Sequence, residues 1–123
     1  MEKLSESEEM VMRCLWESDR PLGLSEVITA CQSYERGWKP QTVSTFLSRL
    51  VQKGYVDTRK RNRGNVYFPR IEQEAYLNDQ MQAMLDFWGK PSIRALASAF
   101  GRSQAIGPED LRELRAMLDD LDE

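Results

Sequence analysis

The chain has 123 residues, 41% of them hydrophobic, a formal charge of −3 and no histidine. That length allows one domain of ordinary size, or a small domain with an appendage. The missing histidine removes the commonest general base and the commonest zinc or copper ligand, so a Ser-His-Asp or Cys-His nucleophile is excluded. No phosphate-binding loop and no credible pair of carboxylates offers another chemistry, and the expectation is a non-enzyme without metal or cofactor.

No apolar run approaches the roughly 18–20 residues that cross a bilayer. The opening Met1-Glu2-Lys3-Leu4-Ser5-Glu6 lacks the apolar core of a signal peptide. The expectation is a cytoplasmic protein with no direct membrane binding. Cys14 and Cys31 do not form a Cys-x-x-Cys pair. They are read as reduced core thiols, with a redox or metal role as the alternative.

Charge is spread unevenly. Residues 1–35 carry 3 basic and 8 acidic side chains, and residues 71–123 carry 5 and 11. Between them, residues 36–70 carry 9 basic side chains (Arg36, Lys39, Arg49, Lys53, Arg59, Lys60, Arg61, Arg63, Arg70) against Asp57 alone. A positive block between two negative flanks is an electrostatic footprint whatever the overall charge.

In chain order, Ser5-Glu6-Ser7-Glu8 has the form of a capping box. Met10, Val11, Cys14 and Leu15 follow at helical spacing, and this helix stops near Ser18. A short second helix is expected over about Leu24–Gln32, with Gly23 as N-cap, Glu26 three residues on, and Val27, Ile28 and Cys31 inward. Residues 33–39 form a loop. Pro40 then suits the first position of a third helix, running to Lys53 and ending at Gly54. Val43, Phe46, Leu47, Leu50 and Val51 make its apolar stripe. Gln41, Thr42, Ser44, Thr45, Ser48, Arg49 and Gln52 make its polar face. Tyr55 to Lys60 and Val66 to Phe68 read as two strands around the turn Asn62-Arg63-Gly64-Asn65. Three more helices follow, at about Ile71–Trp88, Ser92–Phe100 and Pro108–Leu121.

Three helices and a hairpin, in that order, predict a winged helix-turn-helix, mainly α with a small β wing. In that fold the third helix enters the major groove and the wing touches flanking backbone. The small side chains of Thr42, Ser44, Thr45 and Ser48 let the helix sit deep in a groove about 12 Å wide. Arg49 can make a bidentate contact to guanine or phosphate. Lys39 and the wing residues Arg59, Lys60, Arg61 and Arg63 would neutralise phosphates. Each feature also has an ordinary reading, as solvated helix surface or as a charged edge that discourages strand pairing. Their succession within one basic stretch favours double-stranded DNA. A winged helix that binds protein, and a regulator whose effector sits between its two halves, remain as alternatives.

The domains expected are 1–70 for DNA binding and 71–123 for dimerisation. The later helices carry thin apolar stripes that can hardly build an independent core. Met84, Leu85, Trp88, Ile93, Leu96, Phe100, Leu111, Leu114 and Leu118 are the candidates for packing against a second copy, giving a homodimer on a palindromic site. Packing back on the winged helix is the alternative.

The segment Trp38-Lys39-Pro40-Gln41-Thr42-Val43-Ser44-Thr45-Phe46-Leu47-Ser48-Arg49-Leu50, followed by Lys53-Gly54-Tyr55-Val56, resembles the signature of the BlaI/MecI/CopY repressors. Leu4 to Glu8 with Leu15-Trp16 is similar to their first helix. Phe87-Trp88-Gly89, Ala95 to Phe100 and Gly107 to Leu114 are similar to their dimerisation region. The resemblance implies a homodimeric repressor of inverted-repeat operators that contacts DNA through Gln41, Thr42, Ser44, Thr45, Ser48 and Arg49. Gln41 and Ser44 stand where the resistance repressors often carry basic residues. It also implies a membrane sensor protease pathway that ends in cleavage of the dimerisation region. The family's scissile Asn-Phe pair aligns with Ala99-Phe100. The cysteine clusters of the copper-responsive members have no counterpart here, because no cysteine follows Cys31.

Overall fold

The computed structural model describes residues 1–34 and 37–122; Arg36 of the basic stretch lies outside them. The chain forms two compact units, Met1–Asp79 and Gln80–Glu123.

The first unit begins with α1 (Glu6–Glu17). The Ser5 hydroxyl accepts from the Glu8 amide at 3.2 Å, and the Ser5 amide donates to Glu8 Oε1 at 2.8 Å, as the sequence predicts. Val11, Cys14 and Leu15 are buried, and so is Met12, which the sequence did not single out. A two-residue strand, β1 (Leu22–Gly23), leads into α2 (Leu24–Cys31). Here the Gly23 amide donates to Glu26 Oε1 at 3.0 Å.

Helix α3 (Pro40–Gln52) starts on proline, whose missing N–H has no partner to lose at that position. It buries Val43, Leu47 and Leu50 completely and Phe46 in part. Val51, expected on the inner stripe, is 39% exposed. The helix ends in a Schellman motif. The Gly54 amide donates to the Val51 carbonyl at 3.1 Å and the Tyr55 amide to the Leu50 carbonyl at 2.9 Å. Gly54 takes φ +84°, a conformation that disfavours any side chain.

The hairpin comprises β2 (Val56–Arg61) and β3 (Gly64–Pro69), paired antiparallel from Val56 opposite Pro69 to Arg61 opposite Gly64. The turn is therefore shorter than expected, with only Asn62 and Arg63 outside the ladder, and Asn62 supplies a positive φ of 57°. Strand β1 adds to the other edge of β3, giving the order β1-β3-β2. Two residues are too few to show a period of two, so the sequence did not reveal β1. Three helices with a three-stranded antiparallel sheet in this order make a winged helix-turn-helix.

This unit reaches Asp79 rather than stopping at residue 70. The Trp16 indole donates to the Ile71 carbonyl at 2.9 Å. Tyr76, at the start of α4 (Gln73–Trp88), is buried against Trp16 and Tyr55, and its hydroxyl donates to the Glu9 carboxylate. An aromatic with a satisfied hydroxyl belongs to the core it fills.

The second unit holds the remainder of α4, then α5 (Lys90–Arg102) and α6 (Pro108–Leu121). Gly89, at φ +67°, precedes α5, which starts two residues before the expected Ser92. The Gly107 amide donates to Asp110 Oδ2 at 2.9 Å at the start of α6. No helix among the described residues is long and apolar enough to cross a membrane.

Candidate nucleic-acid interface

The polar side of α3 is open to solvent. Gln41, Thr45, Ser48 and Arg49 are exposed, while Thr42 and Ser44 are half-buried. Because Val43, Leu47 and Leu50 anchor the helix on one side, these polar positions share the other. The Thr45 hydroxyl donates to the Gln41 carbonyl at 2.9 Å, which leaves its oxygen free to accept. Three other helices begin beside a carboxylate that caps them: Glu8 on α1, Glu26 on α2 and Asp110 on α6. Helix α3 has Lys39 at its N-cap and no acidic residue in its first turn. Its positive dipole end is therefore reinforced by a cation, a combination that suits a phosphate.

The orientation of α3 is set at both ends. At the start, Trp38 packs against Phe46 with ring centroids 5.0 Å apart and the rings inclined by 58°. At the end, Lys53 Nζ donates to Glu8 Oε1 at 2.8 Å and to the Lys3 carbonyl at 3.0 Å. Glu8 is almost wholly buried, and its Oε2 has no hydrogen-bond partner. Burial raises the Glu8 pKa, but hydrogen bonds from Lys53 and Ser5 outweigh it and leave the carboxyl below its ordinary value. Lys53 thus fastens the end of α3 to α1 instead of facing outward. The sequence counted Lys53 among nine basic residues and could not show this role, because its partner lies 45 residues away.

Arg59, Lys60, Arg61 and Arg63 are all exposed on the wing. Arg59 and Arg61 point to one face of β2 and Lys60 to the other, by strand alternation. The Arg59 guanidinium lies 5.8 Å from the centre of the Phe68 ring, which restrains it on the sheet. Arg63 occupies the turn itself. Of the eleven positions that the sequence singles out for DNA, nine are thus exposed and two, Thr42 and Ser44, half-buried, all within the first unit, on α3, at its N-cap or on the wing.

The nine dimerisation candidates divide into two sets. Met84, Leu85, Leu96, Phe100, Leu111 and Leu114 are half-buried, whereas Trp88, Ile93 and Leu118 are exposed. Phe87, Met117 and Leu121 are also exposed. Ala99 is exposed and Phe100 half-buried, both near the end of α5.

An exposed polar helix beside a basic hairpin, on three helices and a three-stranded sheet, is the arrangement of the winged-helix DNA-binding class. The family model described as penicillinase repressor matches residues 4–120. The chain belongs to that family. The Penicillinase repressor of Bacillus licheniformis is 26% identical over 96% of this chain and 91% of its own length. The solution structure of the DNA-binding domain of the repressor BlaI is similar with a TM-score of 0.53 and 33% identity, covering 62% of this chain and 94% of that one. The solution structure of monomeric Bacillus licheniformis BlaI in complex with the blaP half-operator is similar with a TM-score of 0.51 and 32% identity, covering 61% and 89%.

Proposed function

We propose that this protein is a sequence-specific transcriptional repressor that acts by binding operator DNA, not as an enzyme. The observation that carries the reading is the union of an exposed polar α3 with a basic wing in a penicillinase repressor family member. A relative of the same fold was solved on a half-operator.

In this reading α3 lies in the major groove. Arg49 contacts guanine or phosphate, and Gln41, Thr42, Ser44, Thr45 and Ser48 meet base edges and backbone. Lys39, Arg59, Lys60, Arg61 and Arg63 neutralise phosphates, which makes affinity fall with salt. Residues Met1–Asp79 act as the DNA-binding unit and the helices beyond them as the dimerisation unit. Two copies pair through the exposed Trp88, Ile93 and Leu118, with Phe87, Met117 and Leu121 beside them. Met84, Leu85, Leu96, Phe100, Leu111 and Leu114 support that surface from within. Pairing places two α3 helices on a palindromic operator and multiplies affinity.

Inactivation by a membrane sensor protease pathway would act on the second unit. Cutting Ala99–Phe100 would separate α6 from the rest and return the protein to one weak half-site contact. Both residues sit in a helix, and local opening must precede cleavage there.

The test is binding of the full chain to genomic fragments, its own promoter included, over a range of salt. Selective retention of a palindromic fragment, weakening steeply as salt rises, is the expected result. No retention at low salt would contradict the reading and favour a protein partner for the same basic surface.

A further inference from the structure

Cys14 and Cys31 take no part in the function proposed above. Cys14 lies on α1, Cys31 is the last residue of α2, and their Sγ atoms are 3.3 Å apart in an S–H···S contact. Both are buried free thiols. Two observations separate them from ordinary core cysteines. A covalent S–S bond of about 2.05 Å needs the sulfurs to close by little more than about 1 Å. In addition, Cys14 is among the residues lining a shallow cavity of about 520 Å³ bordered by Glu17, Arg20, Leu22, Glu26 and Ala30, which places the pair beside a solvent-open hollow large enough for a small oxidant. The hydrogen bond from Cys14 lowers the Cys31 thiol against its burial, while the same contact, together with burial, raises Cys14. The two sulfurs titrate as a pair.

We propose that Cys14 and Cys31 are a reversible oxidation site for a hydroperoxide, closing to an intrachain disulfide that weakens operator binding. One sulfur of the pair attacks one peroxide oxygen and the O–O bond breaks. The departing oxygen leaves as water (with hydrogen peroxide) or an alcohol, carrying that thiol's proton. That cysteine is then a sulfenic acid. The other sulfur attacks it, the S–O bond breaks, and the hydroxyl leaves as water with the second thiol's proton. Two thiols are oxidised and one peroxide reduced. Dithiol reductants reverse the bond by exchange. The movement falls between α1 and α2, which both pack on α3. The effect on operators therefore rests on the DNA binding proposed above.

The experiment treats the reduced full chain with hydrogen peroxide. It reads thiol alkylation, intact mass, the cross-linked peptide and affinity for a retained operator fragment. Both thiols should disappear together with the mass of two hydrogens, and one intrachain Cys14–Cys31 peptide should form. Operator affinity should fall several-fold, return with dithiothreitol, and not respond to peroxide in Cys31→Ala. Thiols that stay reduced, separate sulfinic acids or bonds between chains would overturn the site, and the wild-type result decides this even if the variant folds poorly. A disulfide with unchanged operator affinity would overturn the regulatory effect. A reduced protein that binds no DNA would count instead against the proposed function, while the thiol readings still decide the disulfide.

Discussion

The two compact units bury their apolar side chains very differently. Every fully buried hydrophobic residue, from Leu4 to Tyr76, belongs to Met1–Asp79. Among the described residues of the second unit the only fully buried side chain is Ser92, while Phe87 is 78% exposed, Trp88 63% and Leu121 79%. The first unit is closed: three helices and a sheet enclose a core sealed by Tyr55 and Tyr76. The second has regular helices whose apolar side chains are at most half-buried. Helices of this kind gain little stability from propensity alone and depend on packing against something else. The lesson is a division of labour. Contacts within one chain hold the first unit together, and the exposed apolar side chains of the second are what the proposed pairing with a second copy would cover.

Substitutions separate the two units most sharply. Leu47→Ala empties a completely buried site under α3 and should cost about 3 kcal/mol in denaturant unfolding of the first unit. Leu118→Ala should leave that transition in place and instead shift sedimentation toward monomer. A loss of first-unit stability from Leu118→Ala equal to that from Leu47→Ala would erase the distinction.

Glu8→Ala removes a capping carboxylate and leaves Lys53 unpaired, and should cost about 2–3 kcal/mol. The folded pKa of Glu8 lies below its ordinary value, so the stabilisation is present above the unfolded carboxylate pKa of about 4.3 and is lost as pH falls through the folded value. Acid titration of stability should therefore be shallower in Glu8→Ala than in wild type. A parallel acid profile would assign the acid sensitivity to other groups.

Arg49→Ala should weaken operator binding by about 1–3 kcal/mol with unchanged folding. Arg63→Ala should weaken all DNA alike and lower the salt slope by roughly one unit. An unaltered operator affinity in Arg49→Ala would misplace the recognition face. The smallest effect concerns the end of α3. Gly54→Ala should cost about 1 kcal/mol, because φ +84° disfavours a Cβ although no atom crowds the position.

The helices and the hairpin were legible because they rest on local signals. Examples are the Ser5–Glu8 box, Pro40 at a helix start, Gly54 at a helix end, and the spacing from Val43 to Leu50. The polar face of α3 followed from the same periodicity. What escaped was set by partners distant in sequence. Strand β1 exists because Leu22 and Gly23 pair with Tyr67 and Val66. Val51 falls outside the core although it fits the stripe. Lys53 is held by Glu8, and Tyr76 extends the first unit past residue 70. The 3.3 Å approach of Cys14 and Cys31 likewise depends on how α1 and α2 pack, which spacing alone does not state.

The number of chains bound per operator tests the central claim most directly. Sedimentation of the full chain titrated against its palindromic operator should give two chains per duplex, with Leu118→Asp binding the same site far more weakly. One wild-type chain per palindrome at saturation, with Leu118→Asp indistinguishable from it, would contradict the account.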